Sequence, residues 1–178
     1  NTGGTVNDTA RDPEVLRIAS GLMSGKYRLY YSYWNGTYYQ LAFKDATDIN
    51  PPSGTNLGVQ NLLGVGSSTV NQALKPDIIL LASGRYRLYY GYNNGTYSQL
   101  AYRDTNDTEP PSSSNLGPEN LLSIGNSIYY SVSGTEVVAR PGGGYRLYYH
   151  VANSTNGTSF LVYRDTTNLN PPDAANLG

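Results

Sequence analysis

The sequence predicts an all-β protein made of three tandem copies of one unit, and three observations predict it. The segments Gly25-Lys26-Tyr27-Arg28-Leu29-Tyr30-Tyr31, Gly84-Arg85-Tyr86-Arg87-Leu88-Tyr89-Tyr90 and Gly143-Gly144-Tyr145-Arg146-Leu147-Tyr148-Tyr149 nearly coincide, and their first tyrosines, at 27, 86 and 145, fall at intervals of 59 residues. Each copy then carries the same punctuation in the same order. Asn-Gly-Thr begins at Asn35, Asn94 and Asn156, and a basic-Asp pair follows at Lys44-Asp45, Arg103-Asp104 and Arg164-Asp165. Next come Pro51-Pro52, Pro110-Pro111 and Pro171-Pro172, then Asn-Leu-Gly from Asn56, Asn115 and Asn176. Finally, no window shows helical periodicity, whereas β-branched and aromatic runs recur. The repeats run over about 1–62, 63–121 and 122–178.

Within a unit, short β-branched runs at 15–19, 78–82 and 137–140 read as first strands. The Tyr-Arg-Leu-Tyr-Tyr stretch alternates, with Tyr27, Leu29 and Tyr31 on one face and Arg28 and Tyr30 on the other. Asn-Gly between two such runs predicts a type I′ hairpin turn pairing 26–34 with 37–45. The Pro-Pro pair offers no ladder donors and is a loop. An outer strand is expected at 61–65 and 120–124, while the third unit reaches Gly178 before that point. Four short antiparallel strands in a repeat of this length describe a β-propeller blade. A β-trefoil, also twelve strands in three repeats, is the alternative, although the long unit and Pro-Pro loops argue against it.

The run Asp12-Pro13-Glu14-Val15-Leu16, followed by Gly25 to Tyr31 and by Leu41-Ala42-Phe43-Lys44-Asp45, resembles a blade of the five-bladed propeller glycosidases, the arabinanase, xylosidase and levansucrase-like group. The resemblance implies a propeller fold and, by that family's pattern, Asp12 as a catalytic base. Lys75 and Gly134 or Thr135 stand at the equivalent positions, so only the first unit carries that aspartate, and no Glu offers itself as partner. The expectation is therefore a non-catalytic chain with no catalytic residue.

Composition narrows the classes further. With 12 Lys+Arg against 13 Asp+Glu there is no basic stripe for nucleic acid, and no apolar run is long enough for a membrane-spanning helix. Cys is absent and His150 is the one histidine, so neither a metal nor another cofactor is expected. Tyr (18) far outnumbers Phe (2), and charged residues make up 14%, a balance suited to an exposed, hydrogen-bonding β surface of a secreted or cell-surface protein.

The candidate ligand contacts recur once per unit. Arg28, Arg87 and Arg146 sit beside Tyr30, Tyr89 and Tyr148, each pair a planar donor next to an aromatic platform that can grip a sugar ring. Asp45, Asp104 and Asp165 complete the pattern; the alternative role for these residues is mutual pairing within the blade. Trp34, at a hairpin tip, is a further binding candidate, and Asn7, Asn35, Asn94, Asn106, Asn153 and Asn156 head glycosylation sequons. The leading expectation is multivalent, lectin-like carbohydrate binding with glycans as partners. The alternatives are a subunit of a surface filament and a glycosidase-like propeller fragment. Three blades would expose two edges, so a homo-oligomer is expected, either a dimer completing a six-bladed ring or a polymer. Residues 4–7 resemble 68–71 and are candidates for completing an open edge.

Overall fold

The alternating pattern produces eleven strands among the residues that the structure, a computed structural model, describes: 9–19, 21, 23–125 and 130–178. The segment 4–7 and the sequon at Asn7 lie outside them. The first sheet holds β1 (Thr9–Arg17), β2 (Tyr27–Trp34), β3 (Tyr39–Asp45) and β4 (Asn61–Leu62). The second holds β5 (Gln72–Leu80), β6 (Tyr86–Asn93), β7 (Ser98–Asp104) and β8 (Asn120–Gly125). The third holds β9 (Tyr130–Ala139), β10 (Tyr145–Asn153) and β11 (Ser159–Asp165). Every pairing is antiparallel between sequence neighbours, so each sheet is one blade.

The blades stack face to face. Tyr30, Leu41 and Phe43 of the first pack on Ala73, Ile78, Leu88 and Tyr90 of the second. Tyr89 and Leu100 of the second pack on Val132, Val137, Leu147 and Tyr149 of the third. The first strands of the blades touch in series, with β5 between β1 and β9, which places them innermost. This is a propeller arrangement, and three separate stacked sheets exclude the trefoil.

The first strands extend further toward the N-terminus than the β-branched runs suggest. A bulge lets each strand continue past residues that cannot pair: the register shifts between Arg11 and Glu14 and between Leu74 and Asp77, spanning Pro13 and Pro76. Asp12, Lys75 and Gly134 hold the same position with φ of 53°, 56° and 68°. The hairpin turn also differs from expectation. Of Asn35 and Gly36 only Gly36 has positive φ, so the turn is not type I′. Asn35 Oδ1 instead accepts hydrogen bonds from the Thr37 and Tyr38 N–H groups, closing an Asx turn across a longer loop.

One polar joint repeats between blades. Arg28 donates to both carboxylate oxygens of Asp45, at 2.6 and 3.0 Å, and its Nη1 reaches the Pro110 and Pro111 carbonyls of the second blade. Arg87 pairs with Asp104 in the same way and donates to the Pro172 carbonyl at 3.0 Å. Tyr30 and Tyr89 add hydroxyl donors to the Pro111 and Pro172 carbonyls. The guanidinium lies 4.0 Å over the aromatic ring of Phe43 in one blade and Tyr102 in the next. The acceptor loop is held by a buried asparagine: Asn115 Nδ2 donates to Asp107 and to the Glu109 and Pro110 carbonyls, while its Oδ1 accepts from Ser112 N–H. Asn56 and Asn176 make the corresponding bonds.

Removing the Tyr89 hydroxyl (Tyr89→Phe) is expected to cost about 1 kcal/mol of unfolding free energy. Arg87→Ala, which leaves the partly buried Asp104 unpaired, is expected to cost about 3 kcal/mol, the low end for a buried pair. Urea denaturation midpoints check both, and equal effects for the two variants would contradict the joint.

Candidate active site on the innermost strands

The bulge sets the direction of the residue that follows it. Glu14 is opposite Tyr30, Asp77 opposite Tyr89 and Glu136 opposite Tyr148, so the three carboxyl groups occupy one register position on three adjacent inner strands. Their surroundings differ. Asp77 is buried (5% exposed) and accepts a hydrogen bond from Val137 N–H of the next blade at 2.8 Å. Glu14 is half-buried and Glu136 exposed.

Burial, followed by repulsion from Glu136, pushes the Glu14 carboxyl up to about 7. The same two causes push Asp77 up to about 8, with Glu14 adding to the repulsion and the Val137 N–H opposing it. Glu14 and Asp77 therefore hold protons near neutral pH, at the same register as Glu136. Such a separation of acid and base roles is what general acid catalysis requires. Among the described residues no cluster of His, Asp and Glu is arranged to hold a metal ion.

Beyond the bulge, toward the hairpin ends of the same strands, lies a cleft of about 310 Å³ lined by Arg11, Lys75, Tyr92, Asn93 and Ser133 among others. Lys75 Nζ donates to Ser133 Oγ at 3.2 Å across the cleft wall. Arg11 lies 4.0 Å over the Tyr39 ring, and Tyr39 in turn packs against Trp34 with centroids 4.8 Å apart. Trp34 is thus half-buried beside this mouth.

Asp12, one position before the proline, accepts from Ser32 Oγ, which itself accepts from Lys75 N–H of the second blade. Its carboxylate takes part in an interblade bond. Arg28, Tyr30 and Asp45, like Arg87, Tyr89 and Asp104, are brought together, but within the joint: a ligand gripping them would have to displace the proline carbonyls. Arg146, Tyr148 and Asp165 form the same group at the outer face of the third blade. The sequons at Asn35, Asn94, Asn153 and Asn156 lie at the β2–β3, β6–β7 and β10–β11 connections, and Asn106 in the loop after β7. In the sequence alone the Asp-Pro dipeptide points to Asp12, passes over Asp77 and offers neither Glu14 nor Glu136 as a partner. The signal was the acid one residue beyond that dipeptide, visible once the bulged positions are aligned.

No family model matches the chain, and no curated protein matches it. Solved structures do. The arabinanase of Penicillium chrysogenum, complexed with arabinobiose, superposes with a TM-score of 0.66 at 15% identity, over 94% of this chain and 48% of its own. The endo-arabinase of Bacteroides thetaiotaomicron gives 0.66 at 12% identity, over 91% and 58% respectively. The GH93 α-L-arabinofuranosidase of Fusarium graminearum gives 0.65 at 14%, over 94% and 48%. The fold is therefore that of the propeller glycosidases, and the chain spans about half the length of these structures. The expectation of a non-catalytic module is corrected by the same finding: the neighbours that share its fold are glycoside hydrolases.

The raised carboxyls make stability pH-dependent. Folded Glu14 and Asp77 keep protons up to about 7 and about 8, against ordinary values of 4.5 and 3.8, so the folded state binds more protons than the unfolded state across that window. Stability is expected to fall as pH rises from about 4 to about 8. Thermal melts at pH 5 and pH 8.5 of the protein and of Asp77→Asn check this: the variant should lose most of the difference.

Proposed function

We propose that the chain supplies blades of a carbohydrate-active propeller that hydrolyses glycosidic bonds, with arabinan-type polymers as the substrate class. The observation that carries this reading is the convergence of Glu14, Asp77 and Glu136 on one register, with two of them protonated near neutrality. Glu14 is the general acid: its proton passes to the leaving-group oxygen as the glycosidic C–O bond breaks. Glu136, the exposed member, is the nucleophile at the anomeric carbon or the base that takes a proton from the attacking water. Asp77, tied to Val137 N–H, is a positioning residue that fixes the neighbouring strand.

The cleft beside these strands supports sugar recognition. Its size falls at the lower end of small-ligand sites, roughly 300–1,000 Å³, and it offers guanidinium, ammonium, amide and hydroxyl donors. Glycan binding is then centred on the inner strands rather than repeated once per blade. The likeness to arabinan-active enzymes supports the pentose class.

Turnover of linear arabinan or an aryl arabinofuranoside is the expected activity. Glu14→Gln and Glu136→Gln are each expected to lower kcat by about 10²–10⁴-fold, with circular dichroism unchanged. Activity should fall as pH rises through about 7, because the acid must be protonated. Unaltered turnover in both variants would overturn the assignment.

A further inference from the structure

The two outer faces of the blade stack are the complementary halves of the joint found between blades. On the third blade, Leu161 is 75% and Tyr163 56% exposed, whereas their register equivalents in the first blade, Leu41 and Phe43, are 0% and 6% exposed. The donor group is already assembled there. Arg146 is paired with Asp165 at 2.7 and 2.9 Å, and its guanidinium lies 4.0 Å over the Tyr163 ring. Tyr148 and Tyr163 are tilted at 5.9 Å, matching the other two blades. No proline carbonyl among the described residues receives from this group.

On the first blade, Val15 is 46% exposed, while Ile78 and Val137 at the same register are 6% and 8% exposed. Its acceptor loop is built like the others, with Asn56 Nδ2 on the Pro51 carbonyl at 3.1 Å. Yet Pro51 and Pro52 are not buried, whereas Pro110, Pro111 and Pro172 are, and no arginine or tyrosine among the described residues donates to them.

We propose that the outer face of the third blade docks onto the outer face of the first blade of a second copy, and that the second copy returns the contact, closing a ring of two chains. The faces match each other and not themselves, so a joint between copies has to be head to tail, and two such joints close a ring. The occupant is a second copy because its first blade presents the acceptor loop, with the same asparagine brace, that the donor group meets twice inside the chain. Two solved propellers of this fold are matched over 48% of their length, which leaves room in one ring for about two such chains. The pairing also surrounds the inner strands of each copy with those of the other. It does not rest on the catalytic reading.

Light scattering on a sizing column, with the 178-residue chain at micromolar concentration, is the test. The expected mass is twice 19.3 kDa. Leu161→Arg on one face and Val15→Arg on the other should each bring the mass to one chain, weakening association by about 100-fold or more, since each places an unpaired charge in an apolar contact. Both residues are already exposed within a single chain, so circular dichroism should not change. Phe160→Arg, also exposed but on the opposite face of β11, should leave two chains. A wild-type mass of one chain, open polymers, or persistence of the pair in Leu161→Arg would overturn the proposal. Because the readout is mass, a chain that pairs without turnover separates this inference from the enzymatic one.

Discussion

Everything in this fold depends on the gripping of a proline carbonyl by an arginine held flat against an aromatic ring. A blade is a thin antiparallel sheet with two apolar faces, and burial of those faces provides most of the stability but little register. Registration comes from the polar joint. Asp45 and Asp104 hold Arg28 and Arg87 by two bonds each, the ring beneath fixes the guanidinium plane, and the remaining donor can meet only a carbonyl at one height on the next blade. A charged group can be buried there because its hydrogen bonds are made. The Pro-Pro loop suits the acceptor role, since proline has no N–H to compete for the space.

The joint lies at one end of each blade and the bulge toward the other, and this separation lets the inner strands carry chemistry. At the joint, the arginine, aspartate and aromatic ring recur in all three blades, and the first two make the full contact with a proline carbonyl. At the bulge they diverge: Asp12, Lys75 and Gly134 share a backbone conformation but no side-chain chemistry. The next acid on each strand then meets a different degree of burial. Unequal burial thus turns three equivalent positions into unequal carboxyl groups, which is the asymmetry an acid–base reaction uses.

Much of this was legible in the sequence. The repeat, the strand alternation and the position of the Pro-Pro loops follow from spacing and from the residues that strands accept or refuse. The pairing of Arg28 with Asp45 was visible as one of two roles for residues that recur together. The partner of that pair was not, because Pro110 and Pro111 lie in the next repeat and offer backbone atoms, which leave no trace in side-chain patterns. The aromatic residue under each arginine was hidden in the same way, being Phe43 in one blade and Tyr102 or Tyr163 in the others. The shared register of Glu14, Asp77 and Glu136 stayed out of view because a bulge displaces register by an amount that periodicity alone does not report. The turn at Asn35 misled for a related reason: the dipeptide favours positive φ, but the Asx side chain provided a competing closure.

The acceptor loop carries one more consequence. What it presents to its neighbour is main chain, and what it requires of its own sequence is two prolines and an asparagine with a hydrogen-bond donor three residues earlier. Ser53, Ser112 and Asp173 all fill that last place through their N–H groups, and their side chains close the same loop, the two serines by donating to the asparagine Oδ1 and Asp173 by accepting from the Asn176 N–H. A connection made this way does not record which blade stands on either side of it. Blades joined by it are interchangeable parts: duplication, loss or reordering of whole units would preserve every seam, while the inner strands remained free to specialise.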